Sequence, residues 1–141
     1  MAARTMVTGF ALVLACTGCA TDSGAGKTPT CDHPGVCKIE VHVLGCTVSP
    51  PLDDIVVSGR DRMIQWELVG SPNIKFARQN GIFLKDDPQH EFGPGNRPDS
   101  RKFKVPDKNS IKGIHYYKYG IQLMDGDTAC PQIDPGIINH G

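Results

Sequence analysis

The chain has 141 residues and a mass of 15.2 kDa, room for one ordinary domain. Lysine plus arginine and aspartate plus glutamate each total 15, so no surplus of positive charge exists to clasp nucleic acid or coat an anionic membrane surface. With 16 glycines, 11 prolines and 6% aromatic residues, short strands joined by turns are favoured over long helices.

The chain opens on Met1–Arg4, with one positive charge, followed by the uncharged stretch Thr5–Ala15. Eleven apolar or small residues are too few to span a bilayer, and the flanks are those of a secretory signal. Val13-Leu14-Ala15-Cys16 resembles the bacterial lipobox, as does the overlapping Cys16-Thr17-Gly18-Cys19. Cys16 has the better residue three places upstream, whereas Cys19 has the better small pair. Parity favours Cys19, because lipidation there leaves Cys31, Cys37, Cys46 and Cys130 as an even set. The signal peptidase reads local sequence, so Cys16 is the expected lipidation site, with Cys19 the alternative and a cleaved, unlipidated signal the bland one. The lipobox resemblance implies a diacylglycerol plus an amide-linked chain, enough for firm anchoring. Neither Thr17 nor Ala20 is the Asp expected after the lipidated Cys for inner-membrane retention, so a periplasm-facing place on the outer membrane is preferred. Residues 1–16 are thus read as signal and lipidation site, and 17–30 (TGCATDSGAGKTPT) as a polar, flexible tether. Residues 31–141 remain for the folded domain.

Within that domain, Cys37–Cys46 alternates strictly: Ile39, Val41 and Val43 on one face, Lys38, Glu40 and His42 on the other. A period of two with β-branched residues predicts a half-buried strand. Asp54–Ser58 gives a short strand, and Met63–Val69 alternates again with Ile64, Trp66 and Leu68 inward. Trp66, the single tryptophan, belongs at the centre of the core. Ile74 and Phe76, then Asn80-Gly81, then Ile82–Leu84 predict a tight type I′ hairpin. Lys85–Arg101 is polar and proline-rich, a surface loop; Lys102–Val105 restores alternation, and Pro106–Gly113 reads as a turn region. Ile114–Met124 is the longest predicted strand, with Tyr117, Tyr119, Ile121 and Leu123 inward, and Ile137–Asn139 is the last. The expected fold is all-β: a single antiparallel β-sandwich of about seven or eight short strands, immunoglobulin-like in its layers.

Four cysteines in an exported domain allow three disulfide patterns. Cys37 and Cys46 bracket one extended strand, so they lie roughly 30 Å apart at about 3.3 Å per residue, far beyond the ~7 Å limit between bridged Cα atoms. Cys46–Cys130 with Cys31–Cys37 is the simpler remaining pattern, because Asp32-His33-Pro34-Gly35 is a good turn. The crossed pattern, Cys31–Cys46 with Cys37–Cys130, stays open.

The strand Ile64-Gln65-Trp66-Glu67-Leu68 and the late strand Tyr117-Lys118-Tyr119-Gly120-Ile121 resemble the cupredoxin family over about half of the folded segment. The resemblance implies a His soon after the Trp strand and a tight Cys, His, Met cluster after the late one. Here Ser71-Pro72-Asn73 follows Trp66, the first later cysteine is Cys130, Met124 precedes it, and His140 comes last. A blue-copper centre needs two imidazoles and a thiolate converging, so no cofactor is expected. The stretch from Cys130 through Asp134-Pro135-Gly136-Ile137-Ile138-Asn139 is also similar to small bacterial lipoproteins, a likeness that implies no activity.

None of His33, His42, His90, His115 and His140 has metal-ligand spacing. The pairs Asp53-Asp54 and Asp86-Asp87 sit beside turn prolines and suit capping better than acid–base work. No serine has a nucleophile-elbow context. Tyr116, on the face opposite Tyr117 and Tyr119, is a candidate for a ligand or partner surface. The sequence therefore predicts no catalysis, no nucleic-acid partner, a membrane contact through the lipid, and binding or scaffolding of an unidentified protein or small molecule. The alternative is weak metal handling through His33, His42 and nearby acids.

Overall fold

The structure, a computed structural model, describes residues 28–141. The expected signal and the lipidation sites Cys16 and Cys19 lie outside the described residues, as does all but the end of the tether. The described chain is all-β, in chain order β1 (Thr30–Cys31), β2 (Val36–Leu44), β3 (Thr47–Val48), β4 (Ile55–Ser58), β5 (Arg62–Gly70), β6 (Ile74–Phe76) and β7 (Ile82–Leu84). There follow β8 (Asn96–Asp99), β9 (Lys102–Asp107), β10 (Ile114–Ile121), β11 (Leu123–Asp125), β12 (Thr128–Ala129) and β13 (Gly136–His140). They form two five-stranded sheets, ordered β1-β4-β13-β10-β7 and β3-β2-β5-β9-β8, with a small sheet β12-β11-β6 beside them. This is a β-sandwich. Its strands exceed the expected number because short pairings of two to four residues add β1, β3, β8 and β12, and because the stretch 114–124 divides into β10 and β11.

Alternation places the core as the sequence indicates. Ile39, Val41 and Val43 of β2 are buried, as are Ile64, Trp66 and Leu68 of β5 and Tyr117, Tyr119 and Ile121 of β10. At the centre, the Trp66 and Tyr119 rings stand 5.3 Å apart, and Trp66 Nε1–H donates to the Tyr119 hydroxyl at 3.1 Å. Tilted aromatic packing of this kind adds to the area buried, and the hydrogen bond satisfies the one polar atom of the indole.

Both cysteine bridges follow the simpler pattern, Cys31–Cys37 and Cys46–Cys130, with Cα separations of 5.3 and 5.2 Å. Cys31 lies in β1 of one large sheet and Cys37 in β2 of the other, so the first bridge staples the two layers. The second closes a span of 84 residues from the β2–β3 turn to the segment after β12.

Four local expectations are corrected. The pairing is mixed: β1 with β4, β4 with β13, and β2 with β5 run parallel. Between β2 and β5 the chain crosses to the opposite sheet through β4 and returns, which leaves β5 parallel to β2. Asn80-Gly81 makes no hairpin, since β6 pairs with β11 and β7 with β10. Asn80 adopts φ 57°, but Gly81 lacks the positive φ that a type I′ turn also needs. Gly81 is required for space instead: a Cβ there would meet the Ala77 carbonyl and the Phe103 ring.

The supposed surface loop 85–101 buries Glu91 and Phe92 and contains β8. Asp87 organises it, its carboxylate accepting the N–H groups of Glu91 (2.8 Å) and Phe92 (3.0 Å), and Phe92 packs edge-on to Tyr117 at 5.0 Å. Finally, the stretch 114–124 is two strands. Gln122 N–H donates to the Gly81 carbonyl at 2.9 Å, and its side chain donates to the carbonyls of Leu123 (3.1 Å) and Cys130 (2.8 Å), where the chain leaves one sheet for the next.

Tyr119→Phe leaves the buried Trp66 N–H without an acceptor and is expected to cost about 1–3 kcal/mol in urea unfolding; a variant as stable as the parent would contradict the central contact. Replacing Cys46 and Cys130 together by Ala is expected to cost about 4 kcal/mol through the entropy returned to the unfolded chain, and an unchanged denaturation midpoint would count against it.

Candidate functional site

The small sheet β12-β11-β6 has an inward and an outward face. In β6, Ile74 and Phe76 are buried while Lys75 between them is exposed; in β11, Leu123 is buried while Met124 is half-buried. Lys75 and Met124 are cross-strand partners and share the outward face. Beside this face stands β8, and the gap between them is a cleft of about 650 Å³. Its lining includes Lys75, Phe76, Ala77, Arg78, Arg97, Met124 and Asp127.

Three cations face one carboxylate in this cleft. Among the described residues, Lys75, Arg78 and Arg97 make no ion pair. Arg97 is nevertheless held in place: its Nη1–H donates to the Phe76 carbonyl at 2.8 Å, and Phe76 N–H donates to Ser100 O at 2.9 Å. The guanidinium is thereby oriented while its other N–H groups have no acceptor among the described residues. Neighbouring Arg101 has the opposite fate. Its guanidinium donates to the carbonyls of Ser71, Ile74, Leu68 and Gly70 at 2.8–3.4 Å, fastening the β5–β6 turn to β9, and it lies outside the cleft lining.

At the other end of β9 lies a buried acidic and amide cluster. Asp107, Asn109 and Asn139 are each 1% exposed. Asp107 Oδ1 accepts the Asn109 N–H and the Asn139 Nδ2–H, both at 3.0 Å, whereas its Oδ2 and the Oδ1 atoms of Asn109 and Asn139 have no partner among the described residues. Burial raises the Asp107 carboxyl from the ordinary 3.8 to about 6, hydrogen bonds from Asn139 and Asn109 offset part of this, and the charges of Glu91 and Asp87 add to it. For Glu91, burial pushes upward, but the Ser110 hydroxyl (2.6 Å) and N–H, the Ile111 N–H and the Lys108 charge together hold it below its ordinary value. Tyr117 is raised by burial and by the Glu91, Asp87 and Asp107 charges.

The residues singled out from the sequence are scattered. His33 is in the β1–β2 turn and almost fully exposed; His42 is near the far end of β2, where it contacts Glu40 at 3.1 Å. From β2 alone they are separated by roughly 20 Å at about 3.3 Å per residue. Among the described residues, no three His, Cys, Asp or Glu side chains group as a metal site. Asp54 and Asp87 both accept backbone N–H groups, Asp54 from Gly136 at 2.8 Å. Tyr116 is 53% exposed and lines a small depression of about 180 Å³ with His115, Asp86 and Gln89. Lys75, Arg78 and Arg97 were invisible to sequence reasoning, because each is a lone cation in a different segment and only the fold assembles them. Comparison of the sequence with protein-family models and with curated proteins finds no match.

Asp107 gives this domain an unusual pH response. As pH rises from about 4 to 6, the unfolded chain releases this proton first, so stability falls by roughly 3 kcal/mol and then levels off. Glu91 acts in the opposite sense, its contribution being lost as pH drops below the ordinary 4.5. Asp107→Asn supplies a donor toward Asn139 with no charge to bury. It is expected to raise the urea midpoint at pH 7.5 and to flatten the slope between pH 4.5 and 6.5. A destabilised variant at pH 7.5, or an unchanged slope, would contradict the assignment.

Proposed function

We propose that this chain is a lipid-anchored protein of the bacterial cell envelope, facing the periplasm, whose folded domain is a non-catalytic binding module. The observation that carries the reading is the cleft between the small sheet and β8, lined by three cations that have no carboxylate partner among the described residues and by Ala77 and Met124. A concave surface with apolar walls and a few convergent polar groups is the usual form of a small-molecule site, and about 650 Å³ falls in the usual size range. The lining supports binding over catalysis: it offers cations and a lone exposed Asp127 but no histidine, cysteine or nucleophile–base pair.

Anchoring is supported by the apolar run ending at Cys16 and by the polar stretch that precedes β1. The two disulfides suit an oxidising compartment. The cupredoxin-like kinship draws support from the contact of its two signature strands, through Trp66 of β5 and Tyr119 of β10.

Two experiments test this reading. Labelled palmitate should enter the full chain in a bacterial host and be lost in the Cys16→Ser variant; loss only in Cys19→Ser would move the anchor, and labelling of neither chain would remove it. A panel of neutral, cationic and anionic fragments, followed by amide shifts of the full chain in detergent, should give saturable shifts at 75–79, 97–100 and 124–127. A panel in which no compound perturbs those amides would overturn the binding reading.

A further inference from the structure

Resting on the reading of the cleft as a ligand site, we propose that its ligand is a small soluble phosphate monoester with a short apolar body. The lining of the cleft carries Lys75, Arg78 and Arg97 against Asp127, an excess of two positive charges on a chain whose formal charge is zero. A phosphate monoester near neutral pH is close to a dianion and matches that excess, whereas a carboxylate neutralises half of it. The guanidinium of Arg97 is already oriented by its bond to the Phe76 carbonyl, which lowers the ordering cost of a forked contact to phosphate oxygens. Lys75 and Arg78 stand on exposed positions of β6 and the turn after it, free to close on the same group from the other side. The apolar body has a wall to lie against, formed by Ala77 and Met124. Arg101, one residue before β9, does not contribute, because its donors are held by four backbone carbonyls.

Hexyl phosphate, hexanoate, hexanol and inorganic phosphate separate the contributions when titrated into the full chain in detergent and followed by amide shifts. Hexyl phosphate is expected to perturb residues 75–79 and 97–100 saturably, about tenfold more tightly than hexanoate, with inorganic phosphate weaker for lack of the apolar body and hexanol weakest. Its affinity is expected to fall as pH drops through about 6, where the second phosphate proton returns. Arg97→Gln and Arg97→Lys should each weaken binding about tenfold, the latter because an ammonium lacks the planar fork. Lys75→Gln, at an exposed position, should weaken it several-fold without the risk of unsettling the Phe76 contact. If hexanol binds the cleft as tightly as hexyl phosphate, or if hexanoate matches it, the phosphate assignment falls while the cleft remains a binding site. Unchanged affinity in both folded Arg97→Gln and Lys75→Gln also overturns it. If no probe perturbs the cleft amides, this proposal falls, and the broader fragment panel then decides whether the cleft binds anything.

Discussion

The pairing of Trp66 with Tyr119 is the constraint on which the rest of the molecule depends. Each side chain is large, fully buried and contributed by an interior strand of a different sheet, so the two layers meet at one fixed separation. Burial of that aromatic area drives the layers together, while the single hydrogen bond between indole and phenol removes the polar penalty that would otherwise oppose it. Burial also raises the Tyr119 hydroxyl far beyond any physiological pH, the Asp54 charge adding to this and the Trp66 bond only partly offsetting it. The pair is therefore insensitive to pH, unlike the cluster around Asp107. Phe76 with Phe103 (5.9 Å) and Phe92 with Tyr117 (5.0 Å) add two edge-on aromatic contacts to the core.

With the layers fixed, the charges of a formally neutral chain are sorted along β9. At its carboxyl end, the charges of Glu91 and Asp87 stand close enough to add to the rise of the Asp107 carboxyl, and all three add to that of Tyr117. At its amino end, beyond the turn, Arg97 lines the cleft together with Lys75 and Arg78. The β8–β9 register sets Arg97 about four residue steps along β9 from Asp107, roughly 13 Å, more than a Debye length at physiological salt. The poles thus do not neutralise each other. The same chemistry takes different roles by geometry alone: Arg101 ties backbone to backbone, and Arg97, four residues earlier, keeps part of its fork uncommitted.

Strand positions were legible because alternation is local: Ile39-Val41-Val43 and Ile64-Trp66-Leu68 state their buried face within a few residues. The cysteine pairing was legible for the related reason that an extended strand holds Cys37 away from Cys46. Pairing partners were not legible. Asn80-Gly81 signals a hairpin locally, but β6 and β7 gain more from β11 and β10, and nothing between residues 74 and 84 encodes that choice. The break at Gln122 is hidden likewise, since a strand that changes sheets keeps its period of two. The burial of Glu91 and Phe92 within a polar, proline-rich stretch depends on Asp87 capping their N–H groups, a contact that composition conceals. Of the cleft, no part could be read from the sequence, because its cations sit on β6, its turn and β8.

Native-state hydrogen exchange tests the central claim most directly. If Trp66 and Tyr119 lock the sheets, the backbone amides around them in β5, β9 and β10 exchange only through global unfolding, at rates that track the full unfolding free energy. The amides of the small sheet should open at lower cost. Protection at residues 64–67 and 117–121 no greater than that in β11 and β12 would show that the two layers are not held at this contact.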